Sequence, residues 1–236
     1  QGGGIANLGG TLTLSNTIVT ANGSFGIDNQ GSAVLTMNAG RIADNQGSGV
    51  INSLSTATLT GVTVSGNSGG GLRNQGATTS KLTITEGTVI SNSATSGGGI
   101  ANEGVGASTV ISATRVGGNS ATGSGGGIFN NGGMSITNST IDHNQARAGG
   151  GIEHFGGNLS LTNVTVSGNN ATDNGGGLYV LGSLTARFAT FAFNGAGGSG
   201  GNIYHDQAQA TYSGVLVSNP NNGGNCGRNG GQISST

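Results

Sequence analysis

The sequence is short of charge. Of its 236 residues only 6% are Asp, Glu, Lys or Arg, and the formal net charge is −1. A protein that neutralises nucleic-acid phosphates needs clustered Lys and Arg. The seven basic residues of this chain are scattered, so nucleic acid is not an expected partner.

Aromatic residues, proline, cysteine and long apolar runs are scarce as well. The chain has no Trp, one Pro and one Cys, and aromatic residues make up 4%. No apolar run approaches the ~20 residues of a membrane-spanning helix, so no membrane span is expected. Low charge, a lone Cys226 and abundant Thr, Ser, Asn and Gly favour an extracellular or cell-surface location.

Glycine is abundant, with 52 residues, and it punctuates a repeat. The stretch from Gly149 to Gly177 reads GGGIEHFGGNLSLTNVTVSGNNATDNGGG, in which three short apolar runs are bounded by Gly or Asn. Apolar and hydroxyl residues alternate within the runs, which is the period of a half-buried strand. One such unit cannot bury its apolar face alone, so stacked copies are required.

Two columns define about nine copies of 22–28 residues. An aliphatic anchor follows each Gly cluster: Ile5, Ile27, Val50, Leu72, Ile100, Ile128, Ile152, Leu178 and Ile203. An asparagine closes each copy: Asn22, Asn45, Asn67, Asn92, Asn119, Asn144, Asn169, Asn194 and Asn219. Three residues before each of these lies an apolar residue, from Val19 to Leu216. We expect the Asn column to form a structural ladder of side-chain amides.

The repeat predicts an all-β solenoid. The run from Leu161 to Asn169 also fits a leucine-rich repeat, but the Gly-rich half of each copy is hostile to the helix that such a repeat needs. We therefore predict a right-handed parallel β-helix with three short strands per coil. Residues 1–219 form the repeat domain, and residues 220–236 form a Gly/Asn-rich tail. Corner insertions from Ser93 onward are expected to stack as loops in a polar ridge.

The GGGI-x-N and V-S-G-N turns resemble secreted bacterial β-helix proteins of the pectin-lyase-like superfamily, including polymorphic outer-membrane and autotransporter-passenger types. Asn225-Cys226-Gly227 with Ile233-Ser234 resembles the start of a bacterial "choice-of-anchor" segment. The resemblance covers nearly the whole chain. It implies the fold and a secreted location more strongly than an activity.

The acidic residues do not form a recognisable catalytic set. Relatives that cleave polysaccharides would need clustered Asp residues and a basic residue on one outer face. The local grouping here is Asp142-His143 with Glu153-His154 on the next coil, for which a solvated polar patch is the expected role. Calcium-binding nonapeptides are missing as well. The expectation is therefore a protein without catalytic residues, metal or cofactor.

Two outer surfaces are candidates for binding. Outward hydroxyl columns resemble those of ice-binding solenoids, although Thr is an ordinary outward residue on strands; they contain Thr13, Thr36, Thr58, Thr83, Ser135, Ser160 and Thr185 beside Ser15, Thr60, Thr85, Ser112, Thr137 and Thr162. Phe129, Tyr179 and Tyr204 share the position after the anchor and could stack on sugars or pack against another chain. These three residues are termed the aromatic column.

The predicted function is a non-enzymatic, extracellular structural or adhesive protein, acting as a rigid stalk or filament subunit. The alternatives are a carbohydrate-binding or carbohydrate-cleaving module and an ice-binding solenoid. Expected partners are glycans and copies of the chain stacked end to end, unless further chain lies beyond both termini. The first coil and the tail carry no capping segment, and an uncovered coil exposes unpaired backbone groups.

Overall fold

The computed structural model describes residues 3–76 and 80–235. Gln1, Gly2 and residues 77–79 of the predicted repeat domain and Thr236 of the predicted tail lie outside the described residues. The chain folds into a solenoid of about nine coils with parallel sheets, so the predicted all-β parallel solenoid is confirmed. The described residues contain no helix that could cross a membrane.

The described residues of the first five coils contain fourteen strands. They are β1 (Ile5–Leu8), β2 (Thr11–Thr20), β3 (Ile27–Gln30), β4 (Val34–Ala43), β5 (Val50–Ser53), β6 (Thr56–Ser65), β7 (Leu72–Gln75), β8 (Lys81–Thr85), β9 (Thr88–Ile90), β10 (Ser93–Ser96), β11 (Ile100–Glu103), β12 (Ser108–Ser112), β13 (Arg115–Gly117) and β14 (Ser120–Ser124).

Fifteen strands follow in the remaining coils and the tail. They are β15 (Ile128–Asn131), β16 (Gly133–Asp142), β17 (Gln145–Ala146), β18 (Ile152–Gly156), β19 (Asn158–Ser167), β20 (Asn170–Ala171), β21 (Leu178–Val180), β22 (Ser183–Arg187), β23 (Thr190–Ala192), β24 (Gly195–Ala196), β25 (Ile203–Asp206), β26 (Gln209–Ser213), β27 (Leu216–Ser218), β28 (Cys226–Asn229) and β29 (Gln232–Ser235).

In the part of the chain that the structure describes, three parallel sheets run along the solenoid. The first sheet has ten strands in the order β1-β3-β5-β7-β11-β15-β18-β21-β25-β28. The second sheet has fourteen strands and combines the second and third apolar runs of every coil. The ridge sheet has five strands in the order β10-β14-β17-β20-β24.

The second sheet bends once in every coil at a residue with left-handed backbone geometry. The φ angles at this corner lie between 46° and 62°, at Asn16, Ala39, Gly61, Glu86, Ala113, Asn138, Asn163, Phe188 and Gly214. A left-handed residue reverses the side-chain alternation, so the residues on both sides of the corner can point inward. The long strands β2, β4, β6, β16 and β19 therefore each cover two faces of the solenoid.

The core is a stack of aliphatic columns. The anchors pair in register from Ile5 to Ile203, and Cys226 of β28 continues the column. Those from Ile27 to Ile203 are almost completely buried. The apolar column that lies three residues before each closing Asn does not continue to Leu216 as the spacing predicts: Leu216 pairs with Thr190 and is 55% exposed, whereas Val217 pairs with the buried Phe191.

The corner insertions form a sheet instead of the loops expected from the sequence. Ser93, Ser120, Gln145, Asn170 and Gly195 begin the five ridge strands, and the first strand pairs are in register. An alanine follows in every strand: Ala94, Ala121, Ala146, Ala171 and Ala196. Side chains this small let successive short strands stack at the coil spacing.

The tail continues both main sheets. β28 pairs with β25 from Ile203–Cys226 to Asp206–Asn229, and β29 pairs with β26. The sequence predicts a boundary at residue 220 between the repeat domain and the tail. Both main sheets continue past this residue. Whether the tail begins an anchor segment stays a prediction.

Candidate functional site

The closing asparagines form a hydrogen-bonded ladder, as predicted. From Asn22 to Asn194, each Nδ2 donates to the Oδ1 of the next asparagine at 2.7–3.1 Å. The same oxygen also accepts a hydrogen bond from the backbone N–H of the preceding asparagine in the ladder. Because most rungs are buried, these bonds form where water cannot compete.

Asn219 does not belong to this ladder, which corrects the prediction. Asn194 donates instead to Oδ1 of Asn202 at 2.8 Å, and Asn202 donates to Asn225 at 2.8 Å. Asn219 is exposed, and its backbone oxygen accepts a bond from Phe193 N–H. It is therefore aligned with the residue before Asn194, and Pro220, which has no side-chain amide, takes the ladder position.

A second amide ladder runs inside the first sheet. Its members donate to one another at 2.7–2.9 Å and are buried: Asn7, Asn29, Asn52, Asn74, Asn102 and Asn130. Asn130 Nδ2 lies 3.0 Å from Nδ1 of His154, whose Nε2 lies 3.1 Å from Ser183 O. These contacts fit a neutral ring that accepts at Nδ1 and donates at Nε2. Burial lowers the pKa of His154, which favours that neutral form.

The aromatic column lies on the outer face of the first sheet. Phe129 pairs with Glu153, Glu153 with Tyr179, and Tyr179 with Tyr204, so the aromatic column is in register over four coils but is interrupted by Glu153 on coil seven. The two tyrosine rings stack with centroids 5.2 Å apart and an interplanar angle of 30°. Tyr179 donates to Asp206 Oδ2 at 2.6 Å. Burial and this contact raise the pKa of Tyr179, which keeps its hydroxyl protonated.

The Gly corners that lead into the first sheet border this column. A Cβ built on Gly175 would lie 2.8 Å from Cβ of Tyr179, and one built on Gly200 would lie 2.8 Å from Cβ of Tyr204. The backbone entering the first sheet therefore covers the base of each ring, and both tyrosines are only half-buried. The side chains have restricted freedom before any partner binds, which lowers the entropic cost of binding.

Glu153 is a buried acid that lies between Phe129 and Tyr179 of the aromatic column. It is 7% exposed, and its Oε2 has no hydrogen-bond partner among the described residues. Burial raises the pKa of Glu153, against the smaller effects of a hydrogen bond with Ser124 and the charge of Arg147. A carboxyl accepts hydrogen bonds when it is ionised and can donate one when it is protonated, so Glu153 offers a polar group at the edge of the contact surface.

The fold separates the Asp142-His143 pair from the Glu153-His154 pair, which the sequence placed on neighbouring coils. Asp142 ends β16 on the second sheet, where Arg115 holds it at 2.7 and 2.8 Å and His143 Nδ1 lies 2.8 Å away. Burial acts to raise the pKa of Asp142, but the bonds from Arg115 and His143 outweigh it and the pKa is lowered. Glu153 lies on the first sheet, and His154 points into the core. The four side chains therefore do not converge on one reacting atom.

No group of three or more His, Cys, Asp or Glu side chains in residues 3–76 and 80–235 is arranged to hold a metal ion. The unpartnered oxygens of Asp28 and Glu153 lie in the same outward column but on coils two and seven. Five strand spacings of ~4.8 Å separate them, which is too far for shared coordination.

The hydroxyl columns are in register on the second sheet. Thr13, Thr36, Thr58 and Thr83 pair in sequence, and the column continues through Val110 to Ser135, Ser160 and Thr185. The neighbouring column includes Asn38 and Arg187 among its hydroxyl residues. The face is regular but chemically mixed.

The sequence did not predict that large apolar side chains would be exposed at and after the bend of the second sheet in coils eight and nine. Phe188, Phe193 and Leu216 are 67%, 53% and 55% exposed. Phe188 and Phe193 occupy left-handed corner positions, with φ of 51° and 58°. Because these positions hold Asn, Gly or Ala in many coils, the repeat pattern contained no signal that two of them would carry aromatic side chains.

Coiled parallel sheets with internal amide ladders define a parallel β-helix protein. The family model described as "Right handed beta helix region" matches residues 55–193, more than half of the chain, so the protein belongs to that family. The match also gives the handedness predicted from the repeat. No curated protein matches the chain.

Proposed function

We propose that this protein is a non-enzymatic, extracellular rod with a structural or adhesive role, which binds its partner through the aromatic column. The observation that carries the proposal is the stacked Tyr179–Tyr204 pair on the outer face of a parallel sheet. Partly exposed aromatic side chains provide a large contact area with few rotatable bonds. The Tyr179–Asp206 bond restrains this surface further.

The two asparagine ladders support the proposed role as a stiff rod. Each coil is joined to the next by parallel strand pairing and, along most of the chain, by two side-chain amide bonds. Bending the rod would have to stretch these bonds on one side. A stiff support of this kind holds a binding surface at a fixed distance and orientation from an attachment point.

The separation of Asp142 and Glu153 onto different sheets supports the proposal that the protein is not an enzyme. General acid–base catalysis needs two groups within reach of the same substrate bond. Asp142 is neutralised by Arg115 on one sheet, and Glu153 lies on another. Activity against a polysaccharide that is lost in Glu153→Gln or Asp142→Asn would contradict this proposal.

Adhesion can be tested with beads coated with the protein and passed over surfaces carrying matrix proteins or polysaccharides. We expect retention on at least one surface, and Tyr204→Ala should weaken it by about tenfold, the effect of losing one stacked ring. Phe188→Ala is the matched control, because it removes an exposed ring outside the column. Equal loss in both variants, or no retention of the wild type, would contradict the proposal.

Carbohydrate binding is the second candidate function. It is favoured by the position of Asp206, whose carboxylate lies beside the stacked tyrosines and can accept hydroxyl hydrogen bonds. Retention on polysaccharide surfaces alone, abolished by soluble sugar, would support this candidate. Retention on protein surfaces alone would exclude it.

A further inference from the structure

The first sheet carries acidic but no basic side chains in coils six to nine. Its strands there are β15, β18, β21 and β25, whose sequences contain Glu153 and Asp206 but no Lys or Arg. Glu153 pairs with Tyr179. Asp206 lies two residues after Tyr204 on the same strand, so the two side chains share the outer face. Two carboxyl groups therefore border the stacked tyrosines.

Most basic residues of the chain lie away from this face. Four are on strands of the second sheet: Arg41, Lys81, Arg115 and Arg187. Arg73 is on β7 and is paired with Glu103 at 2.8 Å. Arg228 is in register with the buried His205 and donates to Gly230 O and Gly231 O. None of these six residues neutralises the two carboxyl groups beside the tyrosines.

Arg147, the seventh basic residue, follows the ridge strand β17 and already has a partner. Its guanidinium donates to Asp173 Oδ2 at 2.9 Å. Burial raises the pKa of Glu153, and the charge of Arg147 only partly opposes that effect. Among the described residues, no salt bridge joins Glu153 or Asp206 to a basic side chain. The negative charge of this face is therefore uncompensated.

Both carboxyl groups act on the tyrosine stack. Burial, the hydrogen bond to Asp206 and the negative charges of Asp206 and Glu153 together raise the pKa of Tyr179. Asp206 Oδ2 accepts from Tyr179 at 2.6 Å, and Oδ1 accepts from Asn229 Nδ2 at 2.9 Å. A carboxylate has about four acceptor positions, so Asp206, which is only half-buried, can accept further bonds from a ligand.

The Tyr204 ring is held against the next strand by a glycine. Gly227 pairs with Tyr204, and a Cβ built on it would lie 2.6 Å from Cδ2 of the ring. A larger residue at this position would displace the ring. The stack is thus confined between Tyr179 and β28, and its half-exposed surface faces outward beside Asp206.

We propose that the aromatic column binds a cationic side chain of a partner protein, with its alkyl stem against the tyrosine rings and its charged end toward Asp206. This inference rests on the proposed function, which makes the same column the contact surface. A lysine ammonium or an arginine guanidinium is attracted to ring faces, and a carboxylate gives it a charge-assisted hydrogen bond. Glu153 adds negative charge from beneath the rings, and a bound cation in turn stabilises its ionised form.

The hydrogen-bonding groups at the rings favour a cationic side chain over an amino sugar. The donors Tyr179 O–H and Asn229 Nδ2 are already bonded to Asp206, so acceptors are in surplus there. A lysine or arginine side chain has donors only, on an apolar stem that can cover a ring. A sugar also carries several hydroxyl groups, each of which needs a donor as well as an acceptor.

A blocked lysine is the probe. Nα-acetyl-lysine N-methylamide is titrated into ¹⁵N-labelled protein, and we expect saturable shifts of the Tyr179, Tyr204 and Asp206 amide signals. The matched ligand carries a second acetyl group on Nε, which keeps the stem and removes the charge. It should bind about tenfold more weakly. Equal binding of the two compounds, or no shift with either, would overturn the inference.

Protein variants locate the charge that is used. Asp206→Asn should raise the Kd of the lysine probe by about tenfold, because the charged acceptor is lost. Asp44→Asn is the matched control, since it removes an exposed carboxylate on coil two, and it should leave the Kd unchanged. Glu153→Gln keeps the size of a buried side chain and should also weaken binding, which provides a second test if Asp206→Asn does not fold. An unchanged Kd in every folded variant would overturn the inference.

Competition in the bead assay separates this inference from the proposed function. The lysine probe should release beads that are retained through Tyr204, and the Nε-acetylated compound should not. Retention that depends on Tyr204 but resists the lysine probe would overturn the inference and leave the proposed function standing. Absence of retention on every surface would contradict the proposed function itself. A glucosamine oligomer that binds more tightly than a lysine peptide of equal charge would overturn the assignment to a protein side chain.

Discussion

Individual amide groups contribute to stability in this protein because they are bonded where water is excluded. Asn119 donates to Asn144 Oδ1 and Val89 O, both at 3.0 Å, and its own Oδ1 accepts from Asn92 at 3.1 Å. Its side chain is almost completely buried. Removing it leaves donors and acceptors on two neighbouring coils without partners.

We predict that Asn119→Ala lowers the free energy of unfolding by about 1–3 kcal/mol, the cost of leaving buried polar groups unsatisfied. The measurement is chemical denaturation followed by circular dichroism. Asn219→Gly is the control, since Asn219 is exposed, lies outside the ladder and has a φ of 46° that glycine tolerates. Similar losses in the two variants would be inconsistent with a stabilising ladder.

His154 gives the second ladder a dependence on pH. Its pKa is lowered by burial, so as the pH falls below about 6.5 the unfolded chain binds a proton before the folded one does. The stability that the neutral ring provides is therefore present above that pH and is lost as the pH falls. Burial lowers the pKa of His205 to about 4, which adds a loss in the same direction.

We predict that His154→Asn reduces the loss of stability between pH 7 and pH 5. Asparagine can accept the Asn130 bond through Oδ1 and has no charge to acquire in this range. Denaturation midpoints at the two pH values provide the measurement, with His143→Asn on the exposed corner as the control. A midpoint difference as large as that of the wild type would rule out His154 as the source.

At the scale of strands and sheets, the sequence was most informative where the repeat is strict. The anchors from Ile5 to Ile203 and most of the Asn column could be aligned by spacing, because an inward side chain must recur at the same place in each coil. The same alignment failed at Asn219, where Pro220 occupies the ladder position. Spacing alone cannot distinguish a ladder amide from an exposed asparagine one residue earlier.

The features that the sequence did not predict depend on contacts between neighbouring coils. The ridge residues Ser120–Ser124 and their equivalents are polar and rich in Gly, which predicts loops, yet neighbouring coils provide strand partners for them. Asn202 entered the ladder from the first-sheet side of coil nine. The aromatic column could be predicted because its members share a position after the anchor, but its tyrosine stack and its bond to Asp206 required the structure.

For the whole molecule, the linear arrangement of coils determines how far along the rod a core substitution lowers stability. Each coil packs on the coil before it and the coil after it, so stability is a sum of terms for coils and for their interfaces. Leu161 lies in coil seven, is fully buried and pairs with Ile136 and Ala186 on the adjacent coils. A cavity at this position weakens two interfaces and leaves distant ones intact.

We predict that Leu161→Ala costs about 2–5 kcal/mol and that the resulting loss of amide protection is local. Hydrogen exchange with mass spectrometry should show faster exchange in peptides from coils six to eight, and little change in coils two to four. Leu59→Ala in coil three is the matched control and should give the reverse pattern, since Leu59 is equally buried. A uniform loss of protection along the chain in both variants would mean that the rod unfolds as one cooperative unit, and nearest-neighbour coupling would then be the wrong description of its stability.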